Sequence, residues 1–464
     1  MQPRILITGT DSGVGKTTVT LGLMAAFAKQ NKRVQGFKCG PDYIDPTFHE
    51  VITKRPSYQL DTWMTSCEWV KETFVKKSED ADLSIIEGMM GFYDGRSPLS
   101  NEGSTYEISQ ILDSPCLLII NINGSARSAA AMVKGYQELE SGTNIVGVIL
   151  NQAGSEGHAK LCKDAIQQMC HIPVVGYLKR GDTPILPERQ LGLIPALKQG
   201  EYDSFIDELS VTISKQFDLD LIWRLAIQTH PVKHDDCWLN LKEQPRSLVQ
   251  IAVAYDEAFH FYYDENLRLL QAAGAKLTYF SPLKGEGLPN GCDGVYLGGG
   301  FPEEYAKELS LNKELFQQLR KAANDQMPIL AECGGYILLG ESLTLTNGVT
   351  YPMACVTLMH FQMNKSLTAI GYREVTSIES TILGEKGTIL RGHEFHYSSS
   401  SQNEGDKSCF KYKTWNGKEK QQGYFNESVI ASYVHLHFAS YPEVAKNWVK
   451  ACCAYKEKRI HLMN

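Results

Sequence analysis

The stretch Ile5-Leu6-Ile7-Thr8-Gly9-Thr10-Asp11-Ser12-Gly13-Val14-Gly15-Lys16-Thr17-Thr18 decides how the first half of this chain folds. A short apolar run breaks into a glycine-rich turn, and a helical pattern follows over 17–30. Strand, glycine loop and helix in that order form the context in which a short motif becomes a phosphate site. Glycines let backbone N–H groups crowd phosphate oxygens, the helix N-terminus adds partial positive charge, and Lys16 adds a full one. Thr17 is placed to ligate Mg2+ through its hydroxyl. The spacing departs from G-x-x-x-x-G-K-[ST] by one step, since Thr10 stands at the first glycine position and Gly9 precedes it. Thr10, Asp11, Gly13, Val14, Gly15, Lys16, Thr17 and Thr18 are the expected nucleotide-binding residues.

Outward from this loop, apolar runs at 33–38, 83–87, 116–121, 144–151 and 174–178 alternate with helix-length segments such as 104–112. Nearly continuous apolar strands are covered on both faces, which predicts a parallel α/β sheet with helices on either side. The run at 83–87 ends in Glu87, where a second Mg2+ contact belongs. The block Phe37-Lys38-Cys39-Gly40-Pro41-Asp42-Tyr43-Ile44-Asp45-Pro46-Thr47-Phe48-His49 reads as a loop stiffened by two prolines. Such loops face the same sheet edge as the phosphate site. Lys38, Asp42, Tyr43 and Asp45 are the expected positioning residues, with Asp45 joining Thr17 and Glu87 as a metal ligand. The sequence does not rank Asp42 against Asp45.

A polar, proline-punctuated stretch at 221–247 reads as a linker, which divides the chain into 1–220, 221–247 and 248–464. A fresh α/β pattern then begins, with strands at 248–254, 276–280, 294–297 and 328–331 and a helix at 263–273. Cys333 follows the last of these strands with Gly334 and Gly335 behind it, the strand–turn–helix pattern of a nucleophile elbow. A helix N-terminus beneath the sulfur predicts a thiolate. Gly298, Gly299 and Gly300 end another strand, and their N–H groups form the expected oxyanion hole. His435 and His437 alternate along a late strand and so share a face. His435 is the expected base and His437 its support. Residues 403–422 read as a surface excursion and 441–456 as an amphipathic helix.

The bulk properties fit two soluble domains: 464 residues, 43% hydrophobic and 21% charged. A net charge of −7 argues against a general nucleic-acid or membrane-surface binder, which needs a basic footprint. No apolar run approaches the roughly 20 residues of a membrane span. Met1-Gln2-Pro3-Arg4 leads straight into a strand without a signal peptide, so a cytoplasmic protein is expected. The 12 cysteines lack C-x-x-C spacing and read as small buried hydrophobes rather than metal ligands.

Together these motifs carry a resemblance. The loop is similar to the dethiobiotin-synthetase-like branch of P-loop proteins. With FKCGPDYIDPTFH, Glu87-Gly88-Met89-Met90-Gly91-Phe92-Tyr93-Asp94-Gly95, Pro187-Glu188-Arg189-Gln190-Leu191-Gly192-Leu193, GGGFPE, AECGGY, Gly371-Tyr372-Arg373-Glu374 and SYVHLHF, nearly the whole chain resembles the cobyrinate a,c-diamide synthase family. Cobyric acid synthases are similar at both ends but typically carry an asparagine-rich segment in place of CGPDYIDP. The resemblance implies a P-loop synthetase domain and a class I glutamine amidotransferase-like domain. It implies corrinoid, ATP and glutamine as partners, with Mg2+ at the nucleotide. Cys333 would release ammonia from glutamine, and the N-terminal half would amidate two corrin carboxylates through acyl phosphates. Asn151, at a strand end, reads either as an adenine contact or as a plain turn residue. The family usually has His where Gln190 stands, which puts that contact in doubt. Hydrogenobyrinate or nickel-sirohydrochlorin as substrate stays open. So does a P-loop switch ATPase with a non-catalytic C-terminal module. Oligomeric state is not legible, and a homodimer is allowed.

Overall fold

The computed structural model describes residues 2–463 except 186–187, 190–191, 194–195, 197–199, 201, 236–246, 402–406 and 415–416, and describes only the backbone of 188–189, 192–193 and 462–463. Pro187, Gln190 and Leu191 of the PERQLGL block and the centre of the expected linker lie outside the described residues. The chain divides into two compact units, Met1–Asn240 and Leu241–Asn464. No helix among the described residues is long and apolar enough to cross a membrane.

The first unit is built on seven parallel strands: β1 (Arg4–Gly9), β2 (Val34–Cys39), β3 (Tyr58–Leu60), β4 (Leu83–Glu87), β5 (Cys116–Asn121), β6 (Ile145–Ala153) and β7 (Val174–Lys179). Their order in the sheet is β3-β2-β4-β1-β5-β6-β7. Every residue of β1, β2 and β4 is buried, as continuous apolar runs require. Side chains alternate between two cores. Ile5, Ile7 and Ile85 pack with α1 (Lys16–Lys29), α7 (Asp203–Gln216) and α8 (Leu219–Ile227). Leu6, Ile86 and Leu118 pack with α3 (Cys67–Ser78), α4 (Thr105–Ile111), α5 (Ser128–Glu138) and α6 (Glu156–Cys170). The parallel α/β expectation therefore holds. Helix α8 runs into the 221–247 stretch, burying Ile222 and Ala226 against this sheet. The block 37–49 is not a loop throughout: α2 (Asp45–Thr53) begins inside it, with Pro46 in its first turn, where the missing N–H costs nothing.

Register positions the chemistry. Ile7 on β1 pairs with Glu87 on β4, and Glu87 pairs with Lys38 on β2, so these side chains stand in one row at the carboxyl ends of neighbouring strands. The phosphate loop leaves β1 at that same edge, where the strand order reverses.

The second unit has a six-stranded sheet. Strands β8 (Val249–Ala254), β9 (Ala275–Phe280), β10 (Gly294–Leu297) and β11 (Ile329–Glu332) precede a second sheet containing β12 (Ala369–Ser377), β13 (Ile389–His396), β14 (Phe410–Lys413) and β15 (Glu419–Gln422). The chain then returns through β16 (Tyr424–Asn426) and β17 (Val429–Ser432), and crosses at Tyr433 into β18 (Val434–Leu436). The first sheet runs β9-β8-β10-β11-β17-β16 and the second β15-β14-β12-β13-β18. The two sheets thus exchange a strand at Tyr433, between Ser432 and His435. The expected surface excursion at 403–422 contains β14 and β15, which pair antiparallel at the outer edge of the second sheet. Phe410 anchors them in the core, whereas the lysines and glutamates around it suit a solvent-facing edge.

Candidate active site

In the first unit the phosphate loop wraps from Gly9 to the start of α1. Gly15 adopts φ 103°, and a Cβ there would meet Asn151 Nδ2 at 2.4 Å, so only glycine fits. That Nδ2 donates to the Val14 carbonyl at 2.8 Å, which ties the end of β6 to the loop. The Tyr136 hydroxyl holds the Thr10 carbonyl at 2.7 Å, and Lys16 Nζ donates to the Asp11 carbonyl at 2.8 Å. Burial, and Lys38 after it, pull the Lys16 ammonium below its usual range. Thr18 follows in the first turn of α1.

Behind the loop lies a compact charge cluster. Thr17 Oγ1 donates to Glu87 Oε1 at 2.7 Å and lies 3.4 Å from Asp45 Oδ2. Lys38 Nζ bridges Asp45 Oδ2 at 2.7 Å and Glu87 Oε1 at 3.0 Å. His49 Nε2 meets Glu87 Oε2 at 2.8 Å. Burial alone would push Glu87 up, but Lys38, His49 and Thr17 hold it well below the carboxylate range. Burial, Asp42 and Glu87 push Asp45 the other way. Burial works against the Lys38 ammonium, yet the two carboxylates hold it charged. Asp42 is used differently: its Oδ1 accepts the N–H groups of Ile44 and Asp45 at 2.7 and 3.1 Å and so shapes the entry to α2. The structure therefore places Asp45, not Asp42, beside Thr17 and Glu87, with Tyr43 in the turn between them. Two carboxylates and a hydroxyl are the hard oxygen donors that suit Mg2+, which keeps several waters and phosphate oxygens of its own. Among the described residues no group of three or more His, Cys, Asp or Glu is arranged to hold a metal by itself.

In the second unit Cys333 has φ 46° and ψ −99°, the strained corner of a nucleophile elbow between β11 and a helix at Gly334–Leu339. Its N–H donates to Ser432 at 2.8 Å, which brings the elbow to the strand crossing just ahead of His435. The glycine run closes the site from a third side. A Cβ on Gly299 would meet His435 Cε1 at 2.2 Å, and one on Gly334 would lie 3.1 Å from Gly300 N. Gly298 N–H is engaged by the Tyr262 hydroxyl at 2.8 Å, so it is not free to hold an oxyanion. Cys333 Sγ points to the Phe395 carbonyl at 3.9 Å. The expected thiolate is not what this site favours: burial, then Glu303 and Glu394, push the thiol well above its usual range, and the helix behind it is only six residues long. Burial pulls His435 down to about 3, helped by His393 and His396, so it is a neutral imidazole. His437 faces elsewhere, packed against Tyr263 with ring centroids 4.5 Å apart and planes tilted by 38°, and accepting the Ala439 N–H at 3.3 Å.

Both halves match known domain families. Residues 5–193 match the CobQ/CobB/MinD/ParA nucleotide binding domain, and residues 250–443 the CobB/CobQ-like glutamine amidotransferase domain. Over 456 residues the chain is 47% identical to the cobyrinate a,c-diamide synthase of Priestia megaterium, covering 98% of each. The chain belongs to the cobyrinate a,c-diamide synthase family. Other members include the synthase of Dehalococcoides mccartyi (strain CBDB1), 41% identical over 97% of this chain and 98% of the relative, and that of Picrophilus torridus, 39% identical over the same shares. As a family member it is a glutamine-dependent amidotransferase ligase with a nucleotide-binding P-loop domain, and its small-molecule chemistry belongs to cobalamin biosynthesis.

Some groups of this diamide-synthase site escaped the sequence reading. Glu332 ends a buried strand, where its Oε1 accepts Leu436 N–H and its Oε2 accepts the Tyr296 hydroxyl, both at 3.0 Å. The only sequence signal was a charged residue closing an apolar run. Glu394 and His396 face one way on β13, and an acid and a histidine two residues apart on a strand was the signal available.

Proposed function

We propose that this chain converts cobyrinate to its a,c-diamide, using ATP with Mg2+ and glutamine, through acyl phosphates. Residues 1–220 form the synthetase part, 221–247 the linker and 248–464 the amidotransferase, in a cytoplasmic enzyme. A carboxylate is a poor electrophile at neutral pH, and free ammonia is mostly protonated there. One half therefore installs a leaving group and the other releases unprotonated ammonia.

The loop N–H groups from Gly13 to Thr18 and the Lys16 ammonium would cradle the phosphates of ATP. Lys16 leaves the Asp11 carbonyl to do so. Thr17, Glu87 and Asp45 would hold Mg2+, which when bound spreads the charge of the transferring phosphoryl group. Lys38 keeps two carboxylates together beside that group, and Asp42 fixes the turn that carries Tyr43 and Asp45 toward the corrinoid. Asn151 braces the loop through the Val14 carbonyl and would contact the nucleotide base.

In the amidotransferase part, neutral His435 takes the thiol proton as Cys333 Sγ attacks the glutamine side-chain carbonyl. The thiol and imidazole need no prior charge separation, in keeping with their burial. The N–H groups of Gly299 and Gly300 would hold the oxyanion. His435 returns the proton to the departing ammonia, then activates water to release glutamate. His437 supports the base strand from behind.

The observation that carries this reading is the pairing, in one chain, of a Thr17–Glu87 contact at the phosphate loop with a cysteine elbow walled by His435 and its glycine run. Turnover assays with cobyrinate, hydrogenobyrinate and nickel-sirohydrochlorin test it. Amidation of cobyrinate at two carboxylates is expected, and turnover of none would overturn the proposal.

A further inference from the structure

Strand β13 passes directly in front of the nucleophile, and its buried polar residues have no part in the steps above. Glu394 Oε1 meets His396 Nε2 at 2.9 Å, and Glu394 Oε2 accepts from Arg373 Nε on β12 at 2.5 Å. His396 Nδ1 is bound to the Ser398 carbonyl at 2.7 Å. Its ring lies flat on Tyr433, with centroids 3.6 Å apart and planes 5° from parallel, and the Tyr433 hydroxyl accepts from Ser398 Oγ at 2.9 Å. Tyr433 is the corner between Ser432, which anchors the Cys333 backbone, and His435. Between Glu394 and His396 sits Phe395, whose carbonyl faces Cys333 Sγ.

We propose that Glu394 and His396 are a positioning pair for the cysteine: joined to each other on either side of Phe395, they fix its carbonyl against Cys333 Sγ and set a carboxylate on the strand that faces the nucleophile. The groups around this centre agree. Burial first, then the charges of Glu303 and Glu394, push the Cys333 thiol up, against the Gly334 N–H. Glu394 is held ionised, against its burial, by His396 and Arg373, and Tyr412 and Tyr433 feel its charge. His435 faces His393 and His396. A thiol that waits for its substrate resists oxidation and alkylation, which select thiolates.

The inference rests on the glutaminase reading of Cys333, yet its test does not depend on that reading alone. Iodoacetamide alkylation of Cys333, followed by peptide mapping across a pH series, reports the thiolate directly. E394Q removes a neighbouring negative charge, and such charges raise a pKa by about one to three units. Alkylation at neutral pH should therefore rise roughly tenfold or more. H396Q loses the stacked ring but leaves Arg373 on the Glu394 carboxylate, so glutamine kcat/KM should fall about tenfold. A wild-type far-UV circular dichroism spectrum and thermal midpoint report folding. An unmoved alkylation profile in folded E394Q overturns the proposal. So does wild-type glutamine hydrolysis by H396Q, which carries the test if E394Q does not fold. If the wild-type enzyme hydrolyses no glutamine, the glutaminase reading fails, while the E394Q profile still decides this one.

Discussion

Replacing Gly299 by alanine isolates the geometry of the base. The new Cβ would stand 2.2 Å from His435 Cε1, whereas nonbonded carbons settle about 3.5–4.0 Å apart. Something must yield by more than about 1 Å. The glycine run is pinned, because the Gly299 carbonyl accepts the N–H groups of His260 and Phe261 at 3.0 and 3.1 Å. Gly299 is also outside the left-handed region that Gly300 occupies at φ 154°, so alanine brings a contact and no backbone strain. The imidazole therefore moves. A displacement of about 1 Å in a reacting group costs on the order of 100-fold, or about 2.7 kcal/mol in the barrier. Glutamate release and glutamine-dependent amidation should fall by that factor in G299A, while amidation with added ammonia stays at the wild-type rate. Undiminished glutaminase activity, or equal loss with both nitrogen sources, would refute the placement of His435 against this glycine.

Cys333→Ser should abolish glutamine-dependent amidation and spare the ammonia reaction, as steady-state assays with each nitrogen source will show. Lys16→Ala should lower ADP formation and amidation from either source by about 100-fold or more, the scale of losing one charge-stabilising group. Glu87→Gln leaves the buried Lys38 and His49 without their shared anion, which costs about 3–5 kcal/mol, read as a lower unfolding midpoint in urea. Burial pushes the Glu332 carboxyl up to about 8 against the Leu436 N–H and the Tyr296 hydroxyl. The folded state then keeps a proton that the unfolded chain releases near its ordinary value of about 4.3. Between these limits stability falls as pH rises, by at most about 1.4 kcal/mol per unit. Glu332→Gln should remove that slope, so its advantage in thermal unfolding grows from about pH 5 to pH 8 and then levels.

The lessons of sequence and structure separate along physical lines. Continuous apolar runs marked β4 and β5 to the residue, because a strand buried on both faces has no polar position to blur its ends. The block 37–49 misled as a loop because prolines and acids that suit a turn also suit the first turn of a helix, as Pro46 does in α2. The hairpin at 410–422 was hidden because edge strands tolerate charge.

The local devices are legible in the chain's own order: the phosphate loop, the cysteine elbow, the glycine run and the histidine strand. Each depends on backbone constraints between near neighbours, which composition and spacing record. Which residues meet is set by the packed sheets. Register set Lys38 beside Glu87, chose Asp45 over Asp42 and turned His437 away onto Tyr263. The second sheet set the Phe395 carbonyl against Cys333 Sγ, and burial pushes the thiol up where a lowered one was expected. Pairing across strands and removal from water are properties of the assembled sheets, and neither is written in the order of the residues.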